Sequence, residues 1–162
     1  MTSAARRPWL SRVLSRTGLA AGSLLCLAFL GIGARAYAAD VGFIQGEMVA
    51  AARWLEEHTP PDSLIAVHDI GAVGYFTHRP LLDLAGLVTP TVVPFISDPG
   101  RLLEYMQSQG ASYVVFFPDW SPAYQRMARD PRLELMYTTG FKWTLDQGRA
   151  NLSIYRLRTS AF

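Results

Sequence analysis

Ser63-Leu64-Ile65-Ala66-Val67-His68-Asp69-Ile70-Gly71-Ala72-Val73-Gly74-Tyr75 is the stretch on which the fold turns. Its first six residues are a short apolar run without the alternation of a strand wet on one face, so they predict a strand buried on both sides. Asp69 is placed to cap a helix starting at Ile70, and Gly71 and Gly74 let that helix or turn approach the sheet or a ligand closely. Tyr113-Val114-Val115-Phe116-Phe117 is a second run of the same kind. Between the two, Asp98-Pro99-Gly100-Arg101 sets a cap acid before a first-turn proline, and Gly110 supplies the stop. Strand, helix, strand is a βαβ unit with a parallel sheet.

Working outward, Ile44, Met48, Ala51 and Leu55 recur at helical spacing between Phe43 and His58, with Glu47, Arg53, Glu56 and Glu57 off that stripe. Arg53 and Glu57 are spaced for an i,i+4 pair, and Pro60-Pro61 ends the helix. Arg79 to Gly86 predicts one more short strand, with Pro80 at its start where no ladder donor is needed. Ser121-Pro122 repeats the cap-plus-proline start, for a helix ending near Asp130-Pro131. Leu133, Leu135 and Tyr137 alternate, as do Phe141, Trp143 and Leu145, and Asp146-Gln147-Gly148 offers a turn into Leu152 to Leu157. The expected fold class is α/β: an N-terminal transmembrane helix, a small mixed sheet of four to six strands with flanking helices, and a C-terminal antiparallel meander.

The N-terminal side differs in character. In a chain of 162 residues with net charge +2, residues 1–38 carry five of the fifteen basic side chains and no acid. The remainder holds ten basic residues against thirteen acids and is net −3, which excludes the clustered positive charge of a nucleic-acid binder. After Arg6, Arg7, Arg12 and Arg16, residues 17–34 carry no charge. About 20 apolar residues cover a bilayer core of roughly 30 Å, so residues 17–38 read as a transmembrane anchor or as a signal peptide cut at Ala36-Tyr37-Ala38. The positive-inside rule orients residues 1–16 as a basic cytoplasmic leader and 39–162 as an extracytoplasmic domain in the cytoplasmic membrane, or secreted if cleavage occurs near Ala38. Cys26 lies in the apolar run as a small hydrophobe, and a single cysteine excludes a disulfide framework.

Ligands of parallel sheets bind outside the carboxyl ends of the strands. His68 and Asp69 end the first run, Asp83 lies at or near the end of the short strand in Arg79 to Gly86, and Asp119 with Trp120 follows Phe117. Such carboxylates, with Trp120 as an apolar platform, suit a sugar or a cation. The competing reading is that Asp69 and Asp119 cap helices while Asp83 closes a strand by bonding backbone N–H groups. Gly71 and Gly74 match neither a G-x-G-x-x-G fingerprint nor a P-loop, so packing competes with phosphate binding. His58 and His78 sit beside turns as surface residues. No metalloprotease, hydrolase or cysteine-nucleophile motif is present, and no cofactor or metal is expected. Asn151-Leu152-Ser153 fits the N-glycosylation triplet.

Trp54-Leu55, Thr59-Pro60-Pro61-Asp62, Val67-His68-Asp69-Ile70-Gly71-Ala72-Val73-Gly74-Tyr75-Phe76, Arg79-Pro80-Leu81-Leu82-Asp83-Leu84-Ala85-Gly86-Leu87-Val88-Thr89-Pro90 and Phe117-Pro118-Asp119-Trp120 together resemble the C-terminal extracytoplasmic region of bacterial GT-C glycosyltransferases. The similarity covers roughly residues 40–157. It implies transfer from a polyprenyl-phosphate sugar outside the cytoplasmic membrane, by an enzyme whose catalytic acid lies on an early loop between membrane helices. With one apolar segment and no such loop, this chain receives no catalytic residue from the resemblance. The implied reading is a detached tail domain, a truncated gene model or a partner completing another membrane subunit.

The expected function is thus an anchored domain, non-catalytic by itself, that binds an acceptor glycan or packs on a polytopic glycosyltransferase subunit; the partners are the lipid bilayer, that subunit and a lipid-linked sugar or glycan. Its candidate ligand-binding residues are His68, Asp69, Gly71, Gly74, Asp83, Asp119 and Trp120. The rivals are a small enzyme using Asp69, Asp83 and Asp119 as acid and base, and an interaction module with an exposed apolar patch above roughly 400 Å².

Overall fold

The uncharged run forms part of α1 (Pro8–Phe43) in a computed structural model that describes residues 8–158. Arg6 and Arg7 lie outside the described residues. The chain divides into two units, Met1–Val41 and Gly42–Phe162. Within the helical stretch Ser11–His58 lies an apolar window long enough to cross a membrane, and none of that window is buried by protein. Leu19, Leu24, Leu27, Phe29, Leu30 and Ile32 are all exposed, whereas a core helix of a soluble domain would bury one face.

In the second unit a π-helix (Ile44–Val49) precedes α2 (Ala50–His58). The wider π turn inserts a residue into the helical register. Glu47, expected on the polar side, is therefore fully buried at 0% exposure, and Ile44, expected on the apolar stripe, is exposed. Ala51 and Leu55 are buried as the spacing predicts. Among the described residues, Arg53 and Glu57 close no ion pair.

The sheet has five strands in the order β2-β1-β3-β5-β4. β1 (Ile65–Val67), β2 (Leu81–Asp83) and β3 (Tyr113–Phe116) are parallel, with Val67 opposite both Asp83 and Val115. β5 (Ser153–Leu157) runs antiparallel between β3 and β4 (Leu133–Thr138), so the last strand is a central one. The continuous apolar runs at β1 and β3 follow from helices on both faces. One core layer packs Leu102, Leu103 and Met106 of α4 (Pro99–Ser108) and Tyr124 and Met127 of α5 (Pro122–Met127) on Ala66, Val114 and Phe116. The other packs Ala51 and Leu55 of α2 and Val73 of α3 (Ile70–Thr77) on Ile65, Val67 and Val115.

Three caps form where the sequence places them. Asp69 accepts from Gly71 N at 3.0 Å, Asp98 from Arg101 N at 3.1 Å and Ser121 from Tyr124 N at 3.3 Å. Gly110 turns the chain after α4 with φ +76°. A 3₁₀ helix (Pro90–Phe95) precedes α4.

The C-terminal segment departs from the alternation. Residues 141–145, whose alternation reads as a strand, run instead into the short helix α6 (Lys142–Asp146), and β4 pairs with β5 on either side of it in the chain. Gly140, at φ +64°, turns the chain out of β4. Phe141 then packs against Gly46, where a Cβ would stand 2.5 Å from its ring. Lys142 Nζ closes an i,i+4 ion pair with Asp146 at 2.7 Å, which supports a helical turn and not a strand.

Asn151 is buried, with its Nδ2 donating to Glu47 Oε1 at 2.7 Å and to the Phe141 carbonyl at 3.0 Å. The folded triplet therefore offers no free amide to a sugar.

Candidate functional site

β1 continues through α3 to β2 on one side, while the chain leaving β3 passes through α5 to strands on the other. The carboxyl ends of β1 and β3 thus form a topological switch point, where an open α/β sheet has its crevice. His68 follows β1 and Trp120 follows β3 by four residues, because the chain turns at Pro118-Asp119 before α5 begins. Their rings meet at 4.7 Å between centroids, tilted by 51°. Tyr124, in the first turn of α5, meets the His68 ring edge-on at 5.3 Å. Trp120 also stacks on Phe117 at 6.2 Å.

Burial lowers the His68 pKa below its ordinary value; the charges of Asp69 and Asp83 only partly oppose this, which favours the neutral ring. The Tyr124 hydroxyl is buried without a protein partner, and desolvation, then the Asp83 charge, hold its pKa well above the ordinary phenol value. It is the orphan polar atom of this crevice.

The three aspartates do different work. Asp69 caps α3, so an acid occupies the helix N-terminus where a phosphate would sit. Asp83, only 1% exposed, accepts from the backbone N–H groups of Ala85 (2.8 Å), Val88 (2.7 Å) and Thr89 (3.1 Å). Desolvation pushes its carboxyl up, but the N–H groups of Val88, Ala85, Thr89 and Leu87 outweigh it and hold the pKa below the ordinary carboxylate value. Asp119 caps no helix: its Oδ2 accepts from Ala150 N at 2.9 Å and lies 3.9 Å from Arg149 Nε, tying the turn after β3 to the loop before β5. Gly71 and Gly74 lie in α3 and are not among the residues that line the depression beside Trp120. Gly74 lets α3 approach β2, since a Cβ there would stand 3.1 Å from Leu81 Cδ1.

The structure therefore brings His68 and Trp120 into contact, places the Asp69 and Asp83 charges on His68, and turns Asp119 toward the β5 loop. Tyr124 was not singled out from the sequence; the Ser121-Pro122 start places it in the first turn of α5, and its aromatic character was the available signal. Among the described residues no three His, Cys, Asp or Glu side chains converge as a metal site requires.

The space available decides what kind of ligand fits. Beneath His68 a pocket of about 10 Å³, lined by Val67, Val115, Phe117 and Leu152, holds at most one water. Outside it, Trp120 is 52% exposed and borders an open depression of about 240 Å³ with Asp119, Ser121 and Gln125. A half-exposed aromatic face beside carboxylate, hydroxyl and amide groups presents apolar contact and hydrogen bonding together, as a surface-bound sugar ring requires. A second cleft of about 270 Å³ lies at the opposite end of β3, lined by Gln107, Gly110, Ser112, Tyr113 and Arg156.

A family model described as a domain of unknown function, DUF8728, matches residues 35–155, which span the switch point and all five strands' neighbourhoods up to Tyr155. No curated protein matches the chain.

Proposed function

We propose that this chain, which belongs to the DUF8728 family, is a single-pass cytoplasmic-membrane protein whose second unit lies outside the cytoplasm and binds an acceptor glycan across Trp120. It serves as the tail of a GT-C glycosyltransferase serves, beside a polytopic subunit that supplies the transfer chemistry. The carrying observation is Trp120 itself: half exposed, braced by His68 and Phe117, and flanked by Asp119, Ser121 and Gln125.

The apolar window of α1 supports the anchor, and arginines 12 and 16 before it, with Arg35 alone close behind, favour an outward second unit. A non-catalytic role is favoured because Asp69, Asp83 and Asp119 each bind backbone N–H groups, so none is a free acid or base facing a reacting atom.

The test is titration of the full chain in lipid nanodiscs with cell-envelope oligosaccharides, followed by saturation-transfer NMR and tryptophan emission. Trp120→Ala is expected to weaken binding at least tenfold with an unchanged melting temperature. Equal affinity of the variant overturns the glycan site, and sugar transfer from a polyprenyl donor by the purified chain alone overturns the non-catalytic reading.

A further inference from the structure

Resting on the membrane-anchored reading above, we infer that the loop after β2, at the carboxyl edge of the sheet, docks on the lipid surface, with Leu87 and Val88 as the inserted pair. Both side chains stand in water in the structure, at 72% and 70% exposure. Their loop is built, not slack: the Asp83 carboxylate gathers the N–H groups of Ala85, Val88 and Thr89. At Gly86, φ is +79° and Val93 Cγ2 would stand 2.6 Å from any Cβ, so both the backbone conformation and the packing select glycine. A buried charge is thus spent on fixing two aliphatic side chains outward, the reverse of what a solvated loop needs.

The occupant follows from where this loop lies and from what surrounds it. Phe43, the last residue of α1, stacks on Phe117 at 5.8 Å, and Phe117 directly follows β3. Val67 is in register with both Asp83 and Val115, so Phe117 and the loop after Asp83 share one edge of the sheet. The second unit's own first residues, through Phe43, therefore pack at the edge that carries Leu87 and Val88, and the membrane-length apolar window precedes them in the chain. Residues 84–97 hold no charged side chain, which suits hydrocarbon. Asp69 and Asp119 are exposed at the same edge, so anionic headgroups are not what recruits it. Docking is apolar, proceeds on zwitterionic lipid and is insensitive to salt.

The experiment places an environment-sensitive fluorophore on the full chain in phosphatidylcholine vesicles. In a Cys26→Ala background, Leu87→Cys and Val88→Cys are labelled one at a time, with Ser112→Cys at the opposite edge as the control and circular dichroism confirming the fold of each. The expected result is a blue-shifted, severalfold brighter emission at 87 and 88, quenched by nitroxide lipid and unchanged by salt, with position 112 reporting water. Emission at 87 and 88 equal to that at 112 overturns the inference, as does a gain that requires anionic lipid. A gain that grows with protein density at constant lipid identifies a second copy as the occupant and also overturns it. Label on the native Cys26 separates the two readings: lipid-buried emission there with watery emission at 87 leaves the anchor standing and removes the docking, and watery emission at both removes both.

Discussion

Glu47 in the π-helix and Asp83 at the end of β2 are both buried carboxylates with no ion pair among the described residues, yet they are held in opposite ways. Asp83 takes its hydrogen bonds from the next few residues, Ala85, Val88 and Thr89. Glu47 takes them from the far end of the chain: Thr139 Oγ1, Asn151 Nδ2 at 2.7 Å and Leu152 N at 2.9 Å. The first carboxylate shapes one loop and the second ties a helix to the β4–β5 connection. Removing the first is expected to loosen a place, and removing the second to loosen the unit.

The largest effect is expected from Glu47→Ala, which takes the acceptor from the buried Asn151 amide and Leu152 N–H and from the half-buried Thr139 hydroxyl. At about 1–3 kcal/mol for each unsatisfied group, partly relieved by entering water, the loss of stability is about 3–5 kcal/mol. Hydrogen exchange of the full chain in nanodiscs should show protection lost in both the π-helix and β5. Loss confined to one of them would break the comparison.

Asp83→Ala follows at about 2–3 kcal/mol, from hydrogen bonds to a charged acceptor, with faster exchange centred on residues 84–89. Because the folded pKa of Asp83 lies below the ordinary value of 3.8, its contribution is complete above that value. It is lost as pH falls through about 4 toward the folded value. Asp83→Asn should flatten that acid limb in urea titrations; an unchanged limb would assign it to other carboxylates.

A smaller effect comes from His68, whose folded pKa is below 6.5, so that the unfolded chain binds the proton first. Stability should fall as pH drops from about 6.5 toward the folded value, and His68→Gln should remove that slope. NMR titration of the ring gives the folded value directly. The smallest effect on stability, within about 0.5 kcal/mol, is expected for Trp120→Ala, since half of the ring is already in water. A larger loss would make Trp120 a packing residue and weaken its case as a platform.

The same division between near and far explains what the sequence could tell. The strand at 65–67, the caps at Asp69, Asp98 and Ser121 and the βαβ unit depend on neighbours a few residues apart, and all were legible. The π turn was not, because nothing within Ile44–Val49 marks it, and the donors that Glu47 meets lie more than ninety residues on. Residues 141–145 misled for the same reason. Their alternation is genuine, but Gly140 and the packing of Phe141 on Gly46 decide the outcome, and Gly46 is remote in sequence. At the site, the strand ends point to His68 and Trp120 as neighbours, and their rings meet at 4.7 Å. Which backbone groups Asp119 would hold depended on the path of the β5 loop, and so did the inward face of Tyr124.

The buried amide of Asn151 has a practical consequence. In a secretory pathway that decorates the Asn-Leu-Ser triplet, an oligosaccharyltransferase reaches this nitrogen only while the chain is still open, because afterwards Glu47 and Phe141 hold it. A glycan on Asn151 removes a donor from Glu47, so the mass added at that position counts the molecules that were modified before they closed, and serves as a timer of folding in the cell.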